Sequence, residues 1–154
     1  MPNRLQLQNL AFLRMKEAQI LLDNDCYESA FYLSGYAVEI ALKAVICKNL
    51  GIDELFADAA SVNKSKEVNA AFGKLKIHDL DTLIVFAGLY PKLQDRTERL
   101  FEIWSFIDQM CWSEECRYLH RDSKWKQNIT IDKLNVQGFL DTVNDFLKWI
   151  QQHW

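Results

Sequence analysis

The segment Ala30–Lys48, AFYLSGYAVEIALKAVICK, constrains this chain more than any other. Read as a helix, it has almost no solvent face. Phe31, Leu33, Ala37, Val38, Ile40, Ala41, Leu42, Ala44 and Val45 cover most of its circumference. A helix apolar nearly all round is the central helix of a core or a membrane span. Glu39 and Lys43 interrupt the run, which leaves it too short and too charged for a bilayer span. Glu28, Tyr32, Tyr36, Glu39 and Lys43 recur every three or four residues, so they fall in one narrow polar strip. A carboxylate and an ammonium in such a helix are costly to bury unpaired. They must pair with each other, pair with another helix, or line a cleft. The strip is therefore the first place to look for function.

The chain has 154 residues, enough for one domain with a real core. Only 5 Gly and 2 Pro argue for long helices rather than many strands. A net charge of −3 gives no global basic field, so strong non-specific nucleic-acid binding is not expected, although a local basic patch is allowed. Cys26, Cys47, Cys111 and Cys116 form no C-x-x-C pair and have no histidine at zinc-finger spacing. They read as free buried thiols in a reducing compartment. Residues 1–9 are polar and carry no leader-like apolar run, so a cytoplasmic protein is expected.

Helical periodicity predicts a first helix over 5–23, with a stripe of Leu7, Leu10, Ala11, Met15, Ala18, Leu21 and Leu22 into which Arg14 intrudes. Asn24-Asp25 reads as a stop and as the cap of the second helix, 26–48, and Gly51 as the C-terminal cap of that helix. The short connection makes the two antiparallel neighbours. Residues 52–77 read as a long polar connection with room for one short helix. Asp79 is the expected N-cap of a third helix, 79–90, which Pro91 ends. A fourth helix is expected over 93–112, on Leu100, Ile103, Trp104, Ile107, Met110 and Cys111. A linker, 113–130, leads to the last helix, 132–151, which carries Val136, Phe139, Leu140, Val143, Phe146, Leu147 and Ile150 on one face. Ile129-Thr130-Ile131 is the one strand-like piece, and it is too short to matter.

No P-loop, dinucleotide fingerprint, zincin motif, nucleophile elbow or EF-hand loop is present, and three histidines make a multi-histidine metal site improbable. No cofactor and no metal are expected. Glu39 and Lys43 stand at i, i+4 in the favourable order, which allows an intrahelical pair. Glu39 can instead meet an arginine of a neighbouring helix, Arg14 first and Arg117 second, because a guanidinium suits a desolvated carboxylate. His78 precedes a helix start, where it either contacts Asp79 or Asp81 or stands in a cleft beside free N–H groups. Residues 112–121, WSEECRYLHR, mix charge with aromatic rings most densely. There Arg117, His120 and Arg121, with Trp112 and Tyr118, either grip a phosphate and stack a base or pack as a linker.

GYAVEIALKAVI, then HDLDTL, then an aromatic helix and WSEECRY, together resemble the HEPN domain (higher eukaryotes and prokaryotes nucleotide-binding) over residues 7–150. The resemblance implies an all-α, HEPN-like antiparallel bundle of four to five helices, often dimeric. Family members serve in toxin–antitoxin, phage-defence and RNA-processing systems. Some pair with a small nucleotidyltransferase, and many are metal-independent ribonucleases carrying R-x4-6-H. Here only two residues separate Arg117 from His120, so the family's catalytic pair is not carried over. Arg14, Tyr36, Glu39, Lys43, His78, Arg117 and Tyr118 are the expected cleft or ligand-binding residues.

The reading that follows is a non-catalytic binding module for a nucleotide, an RNA or a nucleotidyltransferase-like protein. A metal-independent endoribonuclease using Arg117 and His120 and a ligand-free dimeric scaffold are the alternatives. Phe12, Phe101 and Trp125 lie outside the stripes and exceed what one small core needs. A two-fold homodimer burying more than about 1,000 Å² is expected.

Overall fold

The computed structural model describes residues 2–57, 65–121 and 123–154. Seven α-helices occur among them: α1 (Arg4–Asp23), α2 (Tyr27–Leu50), α3 (Lys66–Leu75), α4 (Leu80–Phe86), α5 (Tyr90–Gln94), α6 (Arg99–Gln109) and α7 (Lys133–Ile150). A lone antiparallel bridge, Lys124–Thr130, is the one extended pairing in the described residues, so the fold is all-α. The long apolar segment is the central helix. α2 packs against α1 most extensively, and then against α7, α4 and the short 3-10 helix Glu114–Tyr118. By length and composition α2 alone, among the described residues, would suffice to cross a membrane, but 83% of its apolar window is buried inside the fold.

Local chemistry explains the ends that sequence reading placed correctly. Asn3 and Gln6 form a reciprocal capping box that starts α1, each side chain accepting from the other's backbone N–H at 2.9 Å. Gly51, at φ 66°, closes α2 in the left-handed conformation that only glycine adopts freely. Asp79 caps α4 by accepting from the Thr82 N–H at 3.0 Å, and Asp132 caps α7 by accepting from the Asn135 N–H at 2.9 Å.

Other expected boundaries need correction. Asp25 does not cap α2: it sits at φ 58° and accepts from the Tyr27 hydroxyl at 2.7 Å, while Cys26 occupies the cap position without a side-chain bond to the helix N–H groups. The helix expected to run to Tyr90 stops at Phe86, because Gly88 turns left-handed at φ 70°. Pro91 does not end a helix. It lies in the first turn of α5, where its missing N–H costs nothing. The expected helix over 93–112 is broken at Asp95, whose carboxylate accepts from the N–H and hydroxyl of Thr97 at 2.9 and 2.7 Å. That local turn outcompetes helix continuation. Downstream, Cys111 at φ 50° ends α6 before Trp112. The 52–77 connection does hold one helix, α3, capped by Ser65, and residues 58–64 of that connection lie outside the described set. Leu55 and Phe56 anchor its start in the core.

Cys47 and Cys116 are buried as expected, but Cys26 is exposed and Cys111 partly so. Burial pushes the Cys47 thiol up to about 11 and the Cys116 thiol up to about 12, so neither forms the reactive thiolate near neutral pH. Titration with a disulfide reagent should therefore count two fast thiols in the native protein and four in denaturant. Four fast thiols without denaturant would show that the buried pair is accessible.

Candidate functional site

The polar strip of α2 sinks gradually from the surface into the core. Tyr32 and Tyr36 are half-buried, whereas the Glu39 and Lys43 side chains are each 1% exposed. One helical turn separates the last two, and Lys43 Nζ donates to Glu39 Oε1 at 2.7 Å. The ammonium also lies 5.6 Å from the centroid of the Phe56 ring, over its face. His78, on the segment leading into α4, places Nδ1 3.0 and 3.1 Å from the two Glu39 oxygens. An ionised carboxylate only accepts, so Nδ1 carries the hydrogen. The outer edge of that ring faces solvent, the side chain being 41% exposed. Among the described residues every fully buried side-chain nitrogen and oxygen has a partner.

Glu39 is thus buried, as expected, but its partners are a lysine and a histidine, not an arginine or a tyrosine. Arg14 is held by Glu17 of its own helix. Arg117 Nε donates to the Glu114 carbonyl at 2.9 Å inside the 3-10 helix. With Lys43 already neutralising the carboxylate one turn away, a guanidinium would have to displace an existing partner. His78 contacts neither Asp79 nor Asp81 through its ring; it reaches across to α2 instead.

Further toward the start of α2 the strip opens into a groove. The Tyr32 and Tyr36 rings lie nearly parallel, 6.0 Å apart and 6° from coplanar, and Tyr32 stacks on Trp112 at 6.3 Å. Burial raises both phenol pKa values, while the Arg14 guanidinium acts to lower both and Arg117 acts to lower that of Tyr32. A cavity of about 190 Å³ opens beside Tyr32, lined by Glu28, Ser29, Cys116, Arg117 and Leu119. It shares Glu28 with a second cavity of about 310 Å³ that Arg121 and Lys124 help to line. Arg117 stacks on the highly exposed Tyr118 ring at 5.3 Å from its centroid, and His120 is exposed.

Of the expected site residues, Glu39, Lys43 and His78 form one network, Arg117 lines the cavity beside Tyr32, and Tyr36 stacks on Tyr32. Tyr118 projects away from the core. Trp112 is not free to stack a base: it is buried, and its indole N–H donates to the Tyr32 carbonyl at 3.1 Å. Trp125 is likewise occupied, donating to the Cys111 carbonyl at 3.0 Å. Tyr32 was missing from the expected site, although its place four residues before Tyr36 on the polar strip was the available signal.

A long core helix carrying a buried acid–base pair, crossed by a short aromatic turn and closed by a C-terminal helix, defines a small all-α bundle class of domain. The family model of the HEPN domain matches residues 7–153, and the chain belongs to that family of nucleotide- and RNA-related modules. Neither the curated proteins nor the solved structures yield a match.

Proposed function

We propose that this HEPN domain is a non-catalytic binding module of a toxin–antitoxin or defence-type system in the cytoplasm. It engages a nucleotide, free or presented by a nucleotidyltransferase-like protein, in the groove at the open end of α2. The observation that carries this reading is the cavity beside Tyr32, which Arg117 helps to line, with the Tyr36 ring parallel to that of Tyr32 and the Arg14 guanidinium near enough to act on both phenols. Aromatic edges and faces accept a base, and guanidiniums accept phosphate oxygens bidentately. The Glu39–Lys43–His78 network supports the non-catalytic half of the reading. General acid–base groups must reach the reacting atoms. Glu39 and Lys43 instead satisfy each other below the surface, and His78 spends its Nδ1 hydrogen on the same carboxylate.

The test is fluorescence anisotropy with a labelled adenine nucleotide at low salt. Arg14→Ala and Arg117→Ala should each weaken binding about tenfold, the effect of one charge-assisted contact. No binding at millimolar nucleotide, or binding indifferent to both changes, would refute the groove. In parallel, the protein is incubated with RNA in EDTA, and no cleavage is expected. Cleavage lost in both Arg117→Ala and His120→Ala would replace this reading with the ribonuclease.

A further inference from the structure

Three helices end around one apolar cavity. α2 supplies Ile46 and Leu50 to its lining, α3 supplies Ala71, Lys74 and Leu75, and α4 supplies Phe86. The enclosed volume is about 270 Å³. Ile46 and Leu75 are buried and form the floor, whereas Leu50 and Phe86 are 52% and 51% exposed and form the rim. Lys74 is the one charged residue of the lining, and it makes no ion pair with any described residue. Two of the walls are tied together, because Asn49 Nδ2 at the end of α2 donates to the Ala87 carbonyl at the end of α4, at 2.8 Å. The third wall, α3, rests on the fold through Leu75, its one buried residue, and through the edge-on contact of Phe72 with Phe56. Side chains that border an unfilled space lose dispersion contacts on that side. Water gains little from such a space, since carbon walls offer it no hydrogen bonds, and an apolar guest fills it instead.

We propose that this cavity binds a small soluble carboxylate with an acyl chain of roughly six to ten carbons, the chain between α2, α3 and α4 and the head group on the Lys74 ammonium. Size sets the first limit. The cavity lies just below the roughly 300–1,000 Å³ of sites for drug-sized ligands, so the guest is short. Wall chemistry sets the second. Ile46, Leu50, Ala71, Leu75 and Phe86 offer no side-chain hydrogen-bond partner, so a sugar, a base or a peptide backbone would bury polar atoms unpaired. Charge sets the third. No acidic residue lines the cavity, so a carboxylate at the rim is attracted by Lys74 and an ammonium is repelled. The chain supplies most of the affinity, because the head group stays at an exposed lysine where water screens the pair. Leu50 lies 18 residues beyond Tyr32 on α2, roughly 27 Å along the helix, so this site is separate from the groove proposed for nucleotides.

Isothermal titration of the full chain with sodium octanoate should show saturable binding at one site. Hexanoate should bind about tenfold more weakly, the loss expected for two buried methylenes. 1-Octanol should bind about threefold more weakly than octanoate, the effect of one exposed charge pair. Lys74→Met should erase that preference while leaving the dependence on chain length. Ala71→Leu extends a side chain into the cavity from the α3 side and should weaken octanoate at least tenfold. Both variants should keep the native far-ultraviolet circular dichroism, Lys74 being exposed and leucine a good helix former. Octanoate that does not bind at about 10 mM overturns the proposal. So does binding without a chain-length dependence, and so does binding that ignores both substitutions. A fourth arm mixes the protein with phosphatidylglycerol vesicles, which it should not follow into the pellet. Co-sedimentation that Lys74→Met abolishes would assign the patch to a lipid surface and overturn the soluble ligand.

Discussion

Replacing Glu39 by alanine should destabilise the domain by about 3–5 kcal/mol, a large share of the roughly 5–15 kcal/mol that holds a domain folded. The side chains of Glu39 and Lys43 are each 1% exposed, so solvent does not screen their pair. Removing the carboxylate leaves the Lys43 ammonium in the core with only the Phe56 ring face beside it. Lys43→Met should cost less, because the carboxylate keeps His78. The joint replacement Glu39→Leu with Lys43→Met should recover most of the loss, since no buried charge is left over. His78→Ala should cost about 1 kcal/mol, the usual net value of a hydrogen bond at a half-exposed group. Urea denaturation of the four variants measures this series. A loss below about 1 kcal/mol for Glu39→Ala would mean that the pair behaves as a surface ion pair.

That network divides what sequence reading could and could not see. The Glu39–Lys43 pair was legible, because i, i+4 spacing on a helix guarantees proximity. Its burial was legible too, from apolar residues on every other side. The bond to His78 was not, although that residue was named for the cleft, because it lies 39 positions away and only tertiary packing brings it to α2. Arg14 misled for a related reason. An arginine inside an apolar stripe signals a partner, but Glu17 on the same helix supplied it.

The fold shows the same division. α1, α2 and α7 were legible because their apolar stripes are long and match the helices that form, and Gly51 marks the end of α2. The middle of the chain was not, because its apolar periodicity runs unbroken through positions where the backbone turns. The Asp95 carboxylate accepts locally from the backbone N–H and hydroxyl of Thr97, and Cys111 turns left-handed without glycine to announce it. Periodicity reports which face is buried, and a helix followed by a turn can keep the same face.

Trp112 depends on that hidden turn, and Gly35→Ala should expose the dependence. Gly35 is buried within α2, where glycine costs about 1 kcal/mol relative to alanine, so substitution in an open site would stabilise the helix. Here a Cβ would overlap Cδ1, Nε1 and Cγ of the Trp112 indole. The ring cannot slide away freely, because its N–H is bonded to the Tyr32 carbonyl and its face stacks on Tyr32. Overpacking at such a site should cost about 3 kcal/mol even after the helix-propensity gain. It should also shift tryptophan emission as the indole is displaced. Trp112→Ala alone should cost about 3–5 kcal/mol through the cavity it leaves. In that background Gly35→Ala should turn neutral or stabilising by up to about 1 kcal/mol, because only the propensity term survives. That change of sign between backgrounds is the measurement that counts: a stabilising Gly35→Ala with Trp112 present would mean the indole is not seated on α2.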